Sequence, residues 1–258
     1  MRKYLILSIV LIFIGSGLSR AQRWKLKRYE VMFGVGSANY FGDIGGTPDQ
    51  TNLFGLKDVE LGNTRPSVIV GVRYKVEQNI SVKFTFLYGN ITGQDAGSRN
   101  YERDLSFSSP LYEPSIQVEY YFIPEEKKFR SAALFNRRGM INNYSRLSAY
   151  AFAGAGAVFF NPVLSGDLSN RAPEEYTGYG KTTLAVPLGI GIKYVFDENW
   201  SMALDLGGRW TATDYLDGFA SVWSKNNDVY YFSVLQMVYK IKTDRRGRPM
   251  IFNRRRNF

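Results

Sequence analysis

Apolar and polar residues alternate along most of this chain. From Trp200 to Ala212, the apolar set Trp200, Met202, Leu204, Leu206 and Trp210 interleaves with Ser201, Ala203, Asp205, Gly207, Arg209 and Thr211. The same parity runs through Val68, Val70, Val72, Tyr74 and Val76 against Ser67, Gly71, Arg73 and Lys75. It returns in Ile80 to Phe86, in Ile116 to Phe122 and in Leu184 to Tyr194. Residues 29–41, 146–160 and 229–240 follow it less cleanly, because Gly and Ala blur the polar face. A period of two places alternate side chains on opposite faces of a strand. Eight segments of about 12 residues suit tilted membrane strands, which need about 9–11. A soluble sandwich would also alternate, but its strands average only about 5–6 residues. Aromatics at the segment ends (Tyr29, Tyr40, Phe41, Tyr74, Tyr88, Phe159, Phe160, Trp200, Trp210) match interfacial girdles. The pattern predicts an all-β protein, an eight-stranded antiparallel outer-membrane barrel closed between residues 29–41 and 229–240.

The connections predict its orientation. Glu77-Gln78-Asn79 and Asp197-Glu198-Asn199 read as tight turns, whereas 42–64, 92–110, 161–181 and 214–228 are longer and polar. Barrels of this kind keep short turns in the periplasm and long loops outside. Both termini are therefore expected in the periplasm, with 124–145 as a periplasmic insert. The similarity of Gly71 to Ser81 with Gly191 to Ser201 is accounted for by two hairpins at the same boundary. Before the barrel, Met1-Arg2-Lys3, an apolar run to Ile14 and Ser19-Arg20-Ala21 read as a signal peptide cut after Ala21. That run is too short to span a bilayer. The expected organisation is a signal peptide at 1–21, a barrel over 22–240 and a basic periplasmic tail over 241–258.

Composition narrows the chemistry. The chain of 258 residues contains no His and no Cys. Ser-His and Cys-His nucleophiles, His general bases and ordinary Cys/His zinc sites are thereby excluded. No catalytic residue, metal ligand or cofactor is expected, and no small-molecule substrate is identified.

Two sets of charges carry the candidate functions. Parity places Glu30, Arg73, Lys75, Lys83, Glu119, Lys193, Asp205 and Arg209 inside the barrel. Charges of both signs removed from lipid should pair, and an eight-stranded barrel is just wide enough for side chains to fill it. The plain reading is a structural plug; the alternative is a gated ion path. The second set is basic. The formal net charge is +10, and a cut after Ala21 removes Arg2, Lys3 and Arg20. From Lys240 onward, Lys240, Lys242, Arg245, Arg246, Arg248, Arg254, Arg255 and Arg256 face Asp244 alone, which equals the whole remaining excess. The insert adds Lys127, Lys128, Arg130, Arg137, Arg138 and Arg146 against Glu125 and Glu126. Such runs often bind nucleic acid, a partner that conflicts with an envelope location. Docking onto an acidic periplasmic surface fits better, with a solvated tail as the alternative.

Several motifs resemble one family. Tyr29-Glu30 with Asn39-Tyr40-Phe41-Gly42-Asp43-Ile44, Arg103-Asp104-Leu105-Ser106-Phe107 with Tyr112-Glu113, and Phe159-Phe160-Asn161-Pro162 resemble PorG-type outer-membrane barrels of Bacteroidota. Val186 to Tyr194, leading through Asn199-Trp200 to Thr213-Asp214-Tyr215-Leu216-Asp217, is the best match. The resemblance implies a non-enzymatic subunit of the type IX secretion and gliding machinery, partnered by outer-membrane lipids and a periplasmic lipoprotein ring. Asp43, Asp214, Tyr215 and Asp217 fall where strands meet external loops. Turn capping explains them; a loop-ordering cation site or an extracellular contact is the alternative. Against the anchoring role stands a small porin-like or receptor barrel acting through its loops.

Overall fold

The computed structural model describes residues 26–42, 44–45, 61–95, 104–125, 146–166, 179–219, 227–244 and 248–250. Its strands are β1 (Tyr29–Phe41), β2 (Arg65–Lys75), β3 (Ile80–Gln94), β4 (Ser106–Ile123), β5 (Leu147–Phe160), β6 (Val163–Ser165), β7 (Thr182–Val195), β8 (Trp200–Thr211) and β9 (Val229–Ile241). Each pairs antiparallel with its neighbours, in the order β3-β2-β1-β9-β8-β7-β5-β4, and β3 also pairs with β4. That last pairing closes the sheet into an eight-stranded barrel. Closure leaves no open edge along the wall, a condition that lipid imposes because it cannot hydrogen-bond a bare backbone. The seam between first and last strands runs from Tyr29 opposite Ile241 to Phe41 opposite Val229. One end of the barrel carries the 76–79 and 196–199 turns, the 124–146 connection and both terminal strand ends. This is the terminal end, and its opposite is the loop end.

Two elements depart from the expected layout. The stretch 92–110 is not all loop: β3 runs on to Gln94 and β4 begins at Ser106, pairing Gly93 with Phe107. Ile91, Phe107 and Leu111 continue the inward face there, while Asn90, Ser106 and Ser108 supply small polar outward residues that look like loop. Strand β6 lies within the expected 161–181 loop and pairs with the start of β4.

The outer wall is apolar. Leu184 is 68% exposed and Ile190, Ile116 and Val70 are all above half, a band that only lipid would cover comfortably. Aromatic pairs mark both rims: Tyr29–Tyr74 and Trp200–Tyr239 at the terminal end, Tyr88–Tyr112 towards the loops.

Inside, the barrel has two unlike halves. The loop half is a packed apolar core that includes Ile69, Leu87, Ile91, Leu105, Phe107, Leu111, Val158, Phe160 and Phe232. The terminal half is ionic. Its charges are packed beside buried Met32, Ala203 and Val238 and the rings of Tyr121, Tyr150 and Phe152. Between them, glycines in the wall make room for rings. A Cβ on Gly191 would lie 2.3 Å from Cζ of Tyr150, and one on Gly189 2.5 Å from Cζ of Phe152. These strand glycines exist for close approach rather than for unusual φ.

Candidate functional site

The ionic half of the lumen is built from one inward residue after another on facing strands. On β2, Arg73 donates through Nη1 to Glu30 Oε2 of β1 at 2.8 Å and through Nη2 to Glu119 Oε1 of β4 at 2.9 Å. Its Nε lies 2.6 Å from the other Glu119 oxygen, and all three side chains are fully buried. Lys83 of β3 bridges Glu119 at 3.1 Å and Asp205 of β8 at 2.9 Å. Asp205 also accepts from Gln236 at 2.7 Å and from the Tyr150 hydroxyl. Rings cover several cations: Lys83 sits 4.6 Å from the Phe152 centroid and Arg73 5.5 Å from that of Tyr150. Such alternation of sign, with hydrogen bonds to the remaining oxygens, is what makes buried charge tolerable.

All eight sequence-predicted lumen residues point inward, but they do not form one cluster. Seven belong to the network at the terminal half. Arg209 stands apart, nearer the loop end: its Nε lies 3.4 Å from Glu113 and its Nη1 donates to the Gly207 carbonyl at 2.8 Å. Glu113 in turn accepts from the Tyr230 hydroxyl at 3.0 Å. Glu113 was legible, since the parity of Ser115, Gln117 and Glu119 extends back to it. Lys240 was legible in the same way from Val234, Gln236 and Val238. Lys240, the first charge of the basic sum, is the last inward residue of β9 and is 1% exposed, so its charge belongs to the lumen.

The least expected member is Glu125. It lies beyond β4, after a register shift between Tyr121 and Ile123. The bulge turns both Phe122 and Ile123 outward, at 56% and 44% exposure, and the chain then re-enters the mouth of the barrel. There Glu125 meets Lys75 at 3.4 Å, Lys193 at 3.2 Å and Lys240 at still closer range. Lys75 and Lys193 also hold Glu30, at 2.8 and 3.1 Å. Burial opposes ionisation of Glu125, but the ammoniums of Lys75, Lys193 and Lys240 outweigh it and hold the carboxyl well below its usual range. Period-two alternation does not reach Glu125, because it lies beyond the end of β4.

At the loop end, the Tyr40 hydroxyl lies between two carboxylates, 2.8 Å from Asp217 and 2.5 Å from Asp228, and its single proton serves one of them at a time. Asp217 also accepts from the Phe219 N–H at 2.9 Å, the local geometry of an Asx turn. Tyr215 stacks on Tyr179 with centroids 5.1 Å apart, and Tyr179 stacks on Phe160 at 6.5 Å. Asp214 lies in the same loop, half-buried. Asp43 lies outside the described residues. Among the described residues, no group of Asp and Glu is arranged to hold a metal ion.

Of the predicted docking residues, Lys127, Lys128, Arg130, Arg137, Arg138, Arg245, Arg246, Arg254, Arg255 and Arg256 lie outside the described residues, as does the predicted signal peptide. Arg248 is exposed, and its N–H donates to Asp244 at 2.8 Å. The start of the tail is built into the barrel mouth. Thr243 N–H donates to the Leu26 carbonyl, Met250 N–H donates to that of Lys242, and Thr243 pairs with Pro249.

With this architecture in place, comparison with known proteins gives the family. A family model described as "Domain of unknown function (DUF6089)" matches residues 4–239. The chain belongs to that family. Among solved structures it is similar to Neisserial surface protein A (11% identity, 82% of this chain and 96% of that one, TM-score 0.44). It is also similar to Escherichia coli outer membrane protein W (14%, 83% and 98%, 0.38). The outer membrane enzyme PagL is another similar structure (12%, 82% and 99%, 0.35). No curated protein matches the chain.

Proposed function

We propose that this member of the DUF6089 family is a closed, non-enzymatic anchor in the outer membrane, a subunit of the type IX secretion and gliding machinery that its PorG-type motifs suggest. It docks through its terminal end onto an acidic periplasmic ring component. The observation that carries this reading is the filling of the lumen. An apolar core blocks the loop half and an ion-pair network blocks the terminal half, so the barrel is suited to holding rather than passing something. The basic connection 126–146 and the basic tail leave from the same mouth, because β4, β5 and β9 all have ends there. By the usual asymmetry of such barrels, that mouth faces the periplasm. Two basic elements on one face steer encounter with an acidic partner and fix its register. Arginine favours carboxylates there because its fork pairs both oxygens.

The test is a gentle-detergent pull-down from native membranes. A chain ending after Met250, with Arg245, Arg246 and Arg248 changed to Gln, retains the Thr243–Pro249 bridge and removes the tail's arginines. It should insert normally yet lose periplasmic partners and secretion. Normal partner recovery and normal secretion would refute the docking role.

A further inference from the structure

The terminal mouth holds a site that the anchoring role alone does not require. Lys75, Lys193 and Lys240 come from three different strands, β2, β7 and β9, and converge on the two oxygens of one carboxylate. Oε1 meets Lys240, and Oε2 lies 3.4 Å from Lys75 and 3.2 Å from Lys193. Every other acid in the network sits on the barrel wall. Among the described residues Glu125 is the one network acid on a connection, and in the sequence Glu126 separates it from Lys127 and Lys128. Its side chain is 12% accessible and that of Lys75 11%, so the pair can be reached from the mouth.

We propose that Lys75, Lys193 and Lys240 form a carboxylate-binding site, that Glu125 is its resident occupant, and that an acidic peptide segment of the periplasmic partner takes Glu125's place. The inference deepens the docking reading above and rests on it for the nature of the partner. Charge decides the mode of exchange. Glu30 is already shared by Arg73, Lys75 and Lys193, so simple withdrawal of Glu125 would strand Lys240 in a buried position. A stranded buried charge is strongly unfavourable. Replacement by another carboxylate keeps the balance throughout. The occupant must therefore be an anion, and the site's own ligand shows that a glutamate side chain on a peptide fits. Glu125 competes with any incoming peptide, and the apparent affinity is the intrinsic affinity multiplied by the fraction of molecules whose site is vacant.

The experiment uses the full-length protein in detergent micelles and a fluorescent tetraglutamate peptide, read by anisotropy at low salt. Glu125→Ala should bind the peptide at least ten-fold more tightly than the wild type, and Glu125→Gln, which retains the side-chain volume, should also gain. Adding Lys240→Met to Glu125→Ala should remove the gain. A heat-dependent gel shift verifies that each variant is folded. Equal binding by wild type and both Glu125 variants would overturn the site, as would a gain that survives Lys240→Met, which would place the peptide on the exposed basic tail. Binding of inorganic phosphate without binding of the peptide would overturn its assignment to carboxylates. No secretion partner is present in this assay, so a failed pull-down with intact peptide binding would remove the anchoring role and leave the site standing.

Discussion

Replacing Asp205 by Leu probes whether the ionic half of the lumen is a connected network or a set of incidental contacts. Breaking a buried ion pair by removing one partner costs about 3–5 kcal/mol. Here the lower end applies to the ion pair itself, because Lys83 keeps Glu119 at 3.1 Å. Asp205 also accepts from Gln236 at 2.7 Å and from Tyr150, and both would lose that acceptor in a buried setting. A buried donor left unsatisfied costs about 1–3 kcal/mol. Partial re-pairing among neighbours brings the expected total to about 4 kcal/mol. Asp205→Asn, which retains an acceptor oxygen, should cost about half of that. Urea unfolding of the barrel in lipid vesicles, followed by Trp fluorescence, gives the numbers. Adding Lys83→Met to Asp205→Leu should recover part of the loss, since a buried pair replaced by apolar groups is often neutral. An Asp205→Leu variant within about 1 kcal/mol of the wild type would refute the network argument.

Other parts of the structure make separate predictions. Leu204→Arg places a charge in lipid and should cost about 2–4 kcal/mol near the midplane, measured in the same unfolding assay. Harmless Leu204→Arg beside severe Ala203→Arg would invert the assigned faces. Gly191→Val should drive Tyr150 away from Asp205, because even a Cβ there falls 2.3 Å from the ring, and would register as lost stability and altered near-ultraviolet circular dichroism. Glu125 has a carboxyl held below its unfolded value, so its stabilising contribution is complete above about pH 4.3 and fades as pH falls below that. Acid unfolding of wild type and Glu125→Gln should therefore differ at neutral pH and converge towards strongly acidic pH.

How much of this was legible in the sequence depends on which constraint each residue obeys. Strands β2, β7 and β8 declare themselves because one face meets lipid and the other the lumen, giving a regular outward apolar series from Val68 to Tyr74 and from Leu184 to Tyr194. The outer ends of β3 and β4 were hidden because above the lipid the outward face turns polar, with Asn90, Ser106 and Ser108, while Ile91, Phe107 and Leu111 face inward. Inward Ile69, Leu87 and Phe232 were not recognised as an apolar plug, because alternation assigns a face but not a depth. The lumen charges were found as a set, yet their partners were not, since Lys83 and Asp205 are 122 residues apart in sequence. Only the barrel's register brings them together. Glu125 obeys neither period nor turn chemistry; a bulge at the end of β4 turns it inward.

The account rests most heavily on a lumen filled from end to end, and conductance across a planar bilayer tests that directly. Purified, refolded wild-type barrel should insert without producing resolved current steps in molar KCl at neutral pH. Reproducible open-channel steps from the wild type would contradict the account and favour a porin-like barrel.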